Sequence, residues 1–295
     1  VDMSSENTMD VPLEFINPKQ HVGYPPYNQS INFELYFYQE FINENIHTPL
    51  TYIPIQWTNY HIQNEFGKNL KELNNFIKEG LSKNKNYFTV VQYDGGPQID
   101  LHNTLIFSQG GIFDINKKYN NYLPLPLITK KKLKKEGKEK VFLASFSGRH
   151  THGIRKKVEK ILQHNEDIKI TNLDSMNSEF TDEQFNSYKD LISESYFSLC
   201  PRGYGPTSFR LYESISLGTV PIYISDDFFL PFKELIDWEN LAVLIKPREI
   251  KKIPQIIDKL LSGPDYKSML DYGKKCETQF FNFEFMKKYI FEKIS

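Results

Sequence analysis

Cysteine is nearly missing from this sequence: Cys200 and Cys276 are the two thiols in 295 residues. Two thiols make neither a disulfide framework nor a thiolate zinc site, and they favour a reducing, cytoplasmic setting. An excess of charge of one sign is missing too. Lysine plus arginine number 36 and aspartate plus glutamate 37, a net charge of −1. That balance excludes a surface built throughout for nucleic acid or anionic membrane. No run approaches the ~18 apolar residues of a membrane helix. Val1–Ser5 has neither a basic start nor an apolar stretch, so no signal peptide is expected. The seven histidines form no His-Glu-x-x-His pair. No Gly-x-Gly-x-x-Gly follows an early strand, which counts against a dinucleotide oxidoreductase. No internal repeat is evident.

Aromatic residues, by contrast, reach 15% and hydrophobic residues 39%, so disorder is excluded as the main state. A chain this long buries roughly three quarters of its unfolded surface and divides more readily into two domains than one. The first half is aromatic and irregular. His21–Tyr27 reads as a Pro/Gly loop, Phe33–Ile42 as a helix, Tyr52–Trp57 as a short strand broken by proline, and Leu70–Leu81 as an amphipathic helix. Tyr87–Gln92 and Thr104–Phe107 read as strands, closed by Asp94-Gly95-Gly96 and Gly110-Gly111. Lys130–Lys140 holds seven lysines. It reads as a solvated linker, with anion binding the alternative. The expected division is therefore 1–135 and 141–275, with a helix over 276–295.

The second half alternates. Strands are expected at Val141–Ser147, Ile168–Ile170, Tyr196–Leu199, Val220–Ile224 and Leu241–Ile245. Helices are expected at Ile154–Leu162, Asp182–Ser193, Ser208–Leu217, Ile250–Leu261, Asp265–Cys276 and Glu284–Ile294. Such alternation implies an α/β fold with a parallel sheet covered on both faces. Ligands of parallel sheets sit beyond the C-terminal strand ends, and three segments fall there.

In Ser147-Gly148-Arg149-His150, Gly148 leaves room for close approach. Arg149 offers a planar fork suited to phosphate, or is a surface arginine on a tight turn. In Cys200-Pro201-Arg202-Gly203-Tyr204-Gly205-Pro206-Thr207-Ser208-Phe209-Arg210-Leu211-Tyr212-Glu213, Thr207 or Ser208 can cap the following helix. The start of that helix is an anion site, and Arg202 and Arg210 add charge. Glu213 can accept ribose hydroxyls, or pair with a basic neighbour on a helix surface. Asp226 and Asp227 suit sugar hydroxyls or cap a turn. Together these residues describe a site for a nucleotide-sugar diphosphate.

The run Leu199–Glu213, with Leu217-Gly218-Thr219-Val220-Pro221-Ile222-Tyr223-Ile224-Ser225-Asp226, Leu230-Pro231-Phe232, Asp237-Trp238 and Phe146-Ser147-Gly148-Arg149, resembles the exostosin family of glycosyltransferases (family 47). The resemblance is specific over about Val141–Leu261. It implies a GT-B fold, with two Rossmann-like domains whose parallel sheets face an interdomain cleft. It also implies inverting transfer from a UDP-sugar (UDP-xylose, UDP-glucuronic acid or UDP-galactose) to a glycan acceptor. Carried onto this chain, it assigns the diphosphate to Arg149, Arg202, Ser208 and Arg210, and the ribose to Glu213. Gly148, Tyr204, Thr207, Asp226 and Asp227 become donor contacts. The last helix is expected to cross back to the first domain. No metal or other cofactor is expected, because arginines and a helix start can meet the charge of the departing UDP.

Inverting transfer needs a base. Asp94, at the end of a β run and before two glycines, is the first candidate, and capping of its turn is the alternative. Glu34, Glu40, Asp100 and His102 are the others. Tyr24, Tyr27 and Trp57, with Tyr60, are candidates for stacking on acceptor rings, and core packing is the competing role. A non-catalytic carbohydrate-binding or scaffold subunit on the same fold remains the alternative function.

Overall fold

The computed structural model describes residues 7–16, 31–44, 46–111, 121–130, 132–133, 137–173 and 181–295. The chain forms two compact units, Val1–Leu125 with Phe283–Ser295, and Pro126–Asn282.

The first unit contains α1 (Leu13–Ile16), α2 (Phe33–Glu44), β1 (Thr51–Tyr52), α3 (Trp57–Gln63), α4 (Lys71–Gly80), β2 (Tyr87–Val91), β3 (Thr104–Ser108) and β4 (Tyr122–Pro124). Its sheet is parallel throughout, in the order β1-β2-β3-β4. β2 is Tyr-Phe-Thr-Val-Val with every residue buried, the composition of a strand covered on both faces. One face packs on Leu73 and Ile77 of the amphipathic α4. The other is aromatic, with Tyr52 and Phe88 stacked at 4.9 Å and Phe37 and Phe41 of α2 edge-on to Phe88.

The second unit contains β5 (Phe142–Gly148), α5 (Gly153–Leu162), β6 (Ile168–Asn172), α6 (Asp182–Ser193), β7 (Ser195–Pro201), α7 (Phe209–Ser216) and β8 (Val220–Ile224). It continues with α8 (Trp238–Leu241), β9 (Val243–Ile245), α9 (Ile253–Leu261) and α10 (Asp265–Gln279). The five strands are parallel in the order β6-β5-β7-β8-β9. Ile154, Val158 and Leu162, four apart on α5, bury one helix face with Phe197, Leu199 and Ile222 of the sheet. A capping box starts α6: Gln184 N–H donates to Thr181 Oγ1 (3.2 Å) and Thr181 N–H to Gln184 Oε1 (3.0 Å).

The last helix, α11 (Phe283–Ile294), belongs to the first unit. Phe283 packs on Phe33 at 5.0 Å, and Lys287 Nζ donates to Glu40 and Glu44 at 2.7 Å each. Burial lowers the Lys287 pKa, but those carboxylates and Glu284 outweigh it and hold the group above its usual range. Glu40 is thus committed to an ion pair.

Several expectations change. Tyr52–Trp57 is not one strand, because β1 stops at Tyr52 and Trp57 opens α3. β4 carried no sequence signal. The units divide at 125/126, ahead of the lysine run, because Leu127 and Ile128 are already buried in the second unit. Nor is the run a free linker. Lys140 Nζ donates to Ser195 O (2.7 Å) and Thr219 Oγ1 (3.0 Å), and Lys138 pairs with Asp190 at 3.3 Å. Among the described residues, no helix is long and apolar enough to cross a membrane.

Candidate functional site

In the second unit the strand order reverses beside β5. The chain passes from β5 outward to β6, then back across to β7. The crevice beyond the C-terminal ends of such a neighbouring pair is where parallel sheets take ligands. The loops there are Arg149–His152 after β5 and Arg202–Ser208 after β7.

Four arginines converge on these loops. Arg210, on the first turn of α7, is 7% exposed. One of its Nη2 hydrogens goes to Ser147 O, at the end of β5. Its guanidinium lies over the Phe146 ring at 4.8 Å and the Tyr188 ring at 5.5 Å. Its buried Nε–H has no hydrogen-bond partner, an arrangement that suits an anionic ligand. A Cβ on Gly148 would meet Arg210 Nη2 at 2.9 Å. Gly148 therefore makes room for an arginine of the protein itself. Arg149 is half-buried on the loop after β5.

Arg155, unnoticed in the sequence, ties the two loops together. Its Nε–H donates to Arg202 O (3.0 Å) and Nη1–H to Arg149 O (2.9 Å). His152 caps α5 by accepting the Ile154 N–H on Nδ1 (3.3 Å). Its pKa is lowered by burial and then by the charge of Arg202, with Arg155 adding to the effect against Asp226.

Arg202 makes bonds within the protein. Nη1 pairs with Asp226 at 2.6 Å, Nε–H donates to Gly205 O (3.2 Å) and Nη2–H to Tyr204 O (3.1 Å). Three of its five N–H groups thus hold its own loop. Asp226 is its partner through Oδ1, and its side chain remains 42% exposed. Burial raises the Asp226 pKa, but the bond and charge from Arg202 outweigh it and leave it lowered. Asp227 is exposed, and its N–H closes a turn on Ser225 Oγ (3.3 Å). Thr207 is 2% exposed, with its carbonyl taking the Gly203 N–H (3.2 Å). Ser208 occupies the N-cap of α7, half-buried, and its side chain makes no capping bond. Tyr204, at 61%, projects from the loop.

Glu213 lies one turn further along α7 and is 8% exposed. Tyr188 Oη–H donates to its Oε2 at 2.5 Å. Burial, then the Glu213 charge, push the Tyr188 hydroxyl well above its ordinary pKa, so it stays a donor. Tyr188 also lines a cavity of about 240 Å³, with Ser147, Thr171, Leu173 and Gln184. Burial raises the Cys200 thiol to about 11, which excludes it as a nucleophile near neutral pH.

In the first unit, Asp94 is half-buried just beyond β2. A side chain at Gly110 would meet Asp94 Cα and N at 2.7 Å, so this glycine lets the β3 end close on the β2 end. Glu34 is fully buried and internally committed. It accepts from Thr58 N–H (3.0 Å), Thr58 Oγ1 (2.7 Å) and Gln92 N–H (2.6 Å). Burial pushes its pKa up to about 7 against those bonds. Asp100 and His102 are exposed. Trp57 is 0% exposed and donates Nε1–H to Thr89 Oγ1 (2.8 Å), so it is a core residue with no face for a sugar. Tyr60 packs edge-on to Phe15 at 5.2 Å. Tyr24 and Tyr27 lie outside the described residues. Among the described residues no group of three or more His, Cys, Asp or Glu is arranged to hold a metal ion.

The class defined here is an α/β protein with two parallel sheets and an arginine-rich crevice at the reversal of one of them. The Exostosin GT47 domain model matches residues 99–260, more than half of the chain, and the chain belongs to that family. It is 30% identical over 135 residues to an exostosin-1 homolog of Caenorhabditis elegans, covering 40% of this chain and 35% of that protein. It is 37% identical over 76 residues to a probable glucuronoxylan glucuronosyltransferase of Arabidopsis thaliana, covering 26% and 17%. To a probable beta-1,4-xylosyltransferase of the same plant it is 34% identical over 108 residues, covering 33% and 26%. The chain thus spans about a third or less of each relative. A solved structure of the pneumococcal O-GlcNAc transferase GtfA, in complex with UDP and GlcNAc, superposes with a TM-score of 0.41 at 10% identity, covering 88% of this chain and 60% of that one.

Proposed function

We propose that this chain is a GT-B glycosyltransferase that moves a sugar, with inversion, from a UDP-sugar to a hydroxyl of a glycan. The observation that carries the reading is Arg210, a buried arginine at the sheet reversal with an unpartnered Nε–H. Arg149, Arg210, Ser208 and the start of α7 are proposed to hold the diphosphate, and Glu213 the ribose. The positive charge and helix start would stabilise the departing UDP without a metal. Asp94 is proposed as the base. Relatives named as glucuronosyl- and xylosyltransferases favour UDP-glucuronic acid or UDP-xylose over UDP-galactose as the donor.

Thermal unfolding with a panel of nucleotide sugars, with and without EDTA, tests the reading. At ~100 times its Kd a ligand stabilises the native state by about 2.7 kcal/mol. Stabilisation by UDP and by one UDP-sugar, unchanged by EDTA, is expected. No shift from any of them in folded protein would favour the non-catalytic scaffold. Asp94→Asn should abolish transfer and leave UDP affinity intact. Near-normal turnover would remove Asp94 from the role.

A further inference from the structure

We propose that Tyr188 is a positioning residue for Glu213, and that its hydroxyl sets the preference of the site for a ribonucleotide over a 2′-deoxyribonucleotide. This rests on the reading of Glu213 as the ribose ligand.

A carboxylate on a helix has a rotatable plane. To receive a ribose hydroxyl in one geometry it must be fixed by a second group. Tyr188 supplies that group. It comes from a different helix, α6, whose first turn is locked by the capping box one turn before it. Its ring is 7% exposed and packed with Ile192 and Leu217. The hydroxyl reaches one oxygen of the carboxylate, Oε2, at 2.5 Å. The same ring carries the Arg210 guanidinium on its face at 5.5 Å. One side chain therefore touches both groups proposed to hold the nucleotide, with its ring under the arginine and its hydroxyl on the carboxylate.

The two contacts are chemically separable. Tyr188→Phe keeps the ring under Arg210 and deletes only the hydroxyl. Binding of UDP and of 2′-deoxy-UDP is measured by calorimetry on the full chain and on this variant. A site built to bond a hydroxyl rejects the analogue that lacks it, so the wild-type chain should prefer UDP by roughly tenfold or more. In Tyr188→Phe the preference should fall to within about twofold, with UDP weakened more than 2′-deoxy-UDP, which keeps only its 3′-hydroxyl for Glu213. A purely structural role would weaken both nucleotides alike. A variant that keeps the full preference overturns the proposal. In a double-mutant cycle, adding Tyr188→Phe to Glu213→Gln should cost no further preference. An additive loss would show that the hydroxyl does not act through Glu213.

If Tyr188→Phe does not fold, 3-fluorotyrosine at 188 keeps shape and hydroxyl while strengthening the donor. The preference should then shift, because the stronger donor changes both the position and the basicity of the Glu213 carboxylate, and an unchanged preference overturns the proposal. The wild-type measurement separates the two readings. No UDP binding, or equal binding of both nucleotides, removes the ribose role of Glu213 and this inference with it. A wild-type preference that survives the loss of the hydroxyl removes the inference alone.

Discussion

In the first unit the strands lie in sequence order, β1-β2-β3-β4, whereas in the second the order β6-β5-β7-β8-β9 turns back on itself. The polar residues at the strand ends differ accordingly. Beyond β2 of the first unit they close on one another: Glu34 takes Thr58 and Gln92, and Gln92 Oε1 takes the Phe33 N–H at 2.9 Å. Beyond β5 and β7 of the second, arginines bridge two loops with carbonyl contacts and leave a buried donor on Arg210. The Glu34 carboxylate is satisfied from within, although Gln56 Nε2 and both ring nitrogens of His61 in the same unit are buried without hydrogen-bond partners, and Arg210 keeps an open cationic donor. Burial penalises the ionised form of Glu34, and its hydrogen bonds offset part of that cost. An incompletely satisfied buried arginine calls for a partner, which the proposed function supplies as a diphosphate.

The comparison breaks most visibly at Arg210. Arg210→Ala should weaken UDP binding by about a hundredfold or more, since a charge-assisted contact and its pre-organised partner are lost together. Calorimetry with UDP checks this, and binding within tenfold of wild type would remove Arg210 from the site.

Glu34 should give the opposite pattern. Glu34→Gln replaces one acceptor oxygen by a donor facing two N–H groups, and should cost about 2 kcal/mol of stability with UDP affinity unchanged. The pH dependence has a definite sign. The folded pKa is raised from 4.5 to about 7, so the folded chain holds this proton where the unfolded chain has released it. The contribution is complete below pH 4.5 and is lost as pH rises through about 7, at no more than about 1.4 kcal/mol per unit. Denaturant titrations across that window should show the slope in wild type and its removal in Glu34→Gln.

Gly148→Ala sharpens the contrast. The new Cβ would press on Arg210 Nη2 at 2.9 Å, so UDP affinity should fall about tenfold with a stability loss of about 1 kcal/mol. Equal affinity would mean that the guanidinium does not need its present position. The smallest effect is expected at Tyr204. It is 61% exposed, so Tyr204→Ala should leave the melting temperature within a degree or so. UDP affinity should drop about threefold if the ring stacks on the nucleotide.

Much of the fold was legible because its signals are local. The all-buried β8, Val220–Ile224, and the amphipathic α4 read directly from residue type and period. α6, Asp182–Ser193, falls where the sequence placed it, and the structure adds the Thr181–Gln184 capping box at its start. α3 was not legible. Trp57, Thr58, Tyr60 and Ile62 favour strands by propensity, but the Glu34 carboxylate, 24 positions upstream, accepts the Thr58 N–H near the helix start. A distant acceptor thus overrides local preference.

The candidate site divides in the same way. The loop Arg202–Ser208, with its glycines and prolines, stands out in the sequence, and so do Arg210 and Glu213. Arg155 does not, because Ile154-Arg155-Lys156-Lys157 looks like any basic stretch of a helix. The sequence placed Arg202 and Arg210 together as cations, while the fold turned one inward onto Asp226 and left the other with an open donor. Trp57 looked available and is sealed in the core.

The sequence by itself determined most strands and helices of the second unit (α8, Trp238–Leu241, excepted), where the loops of the candidate site fall, and the family to which the chain belongs. Those properties depend on residue type and spacing within a few turns or strands. Tertiary structure decided which loops meet, that Arg202 pairs with Asp226 while Arg210 keeps an open Nε–H, and that Tyr188 of α6 bonds Glu213 of α7. Those choices follow from strand order. Pairing β5 with β7 brings Arg149 and Arg202 under one side chain across the whole of α5, β6 and α6, a proximity that no local pattern encodes.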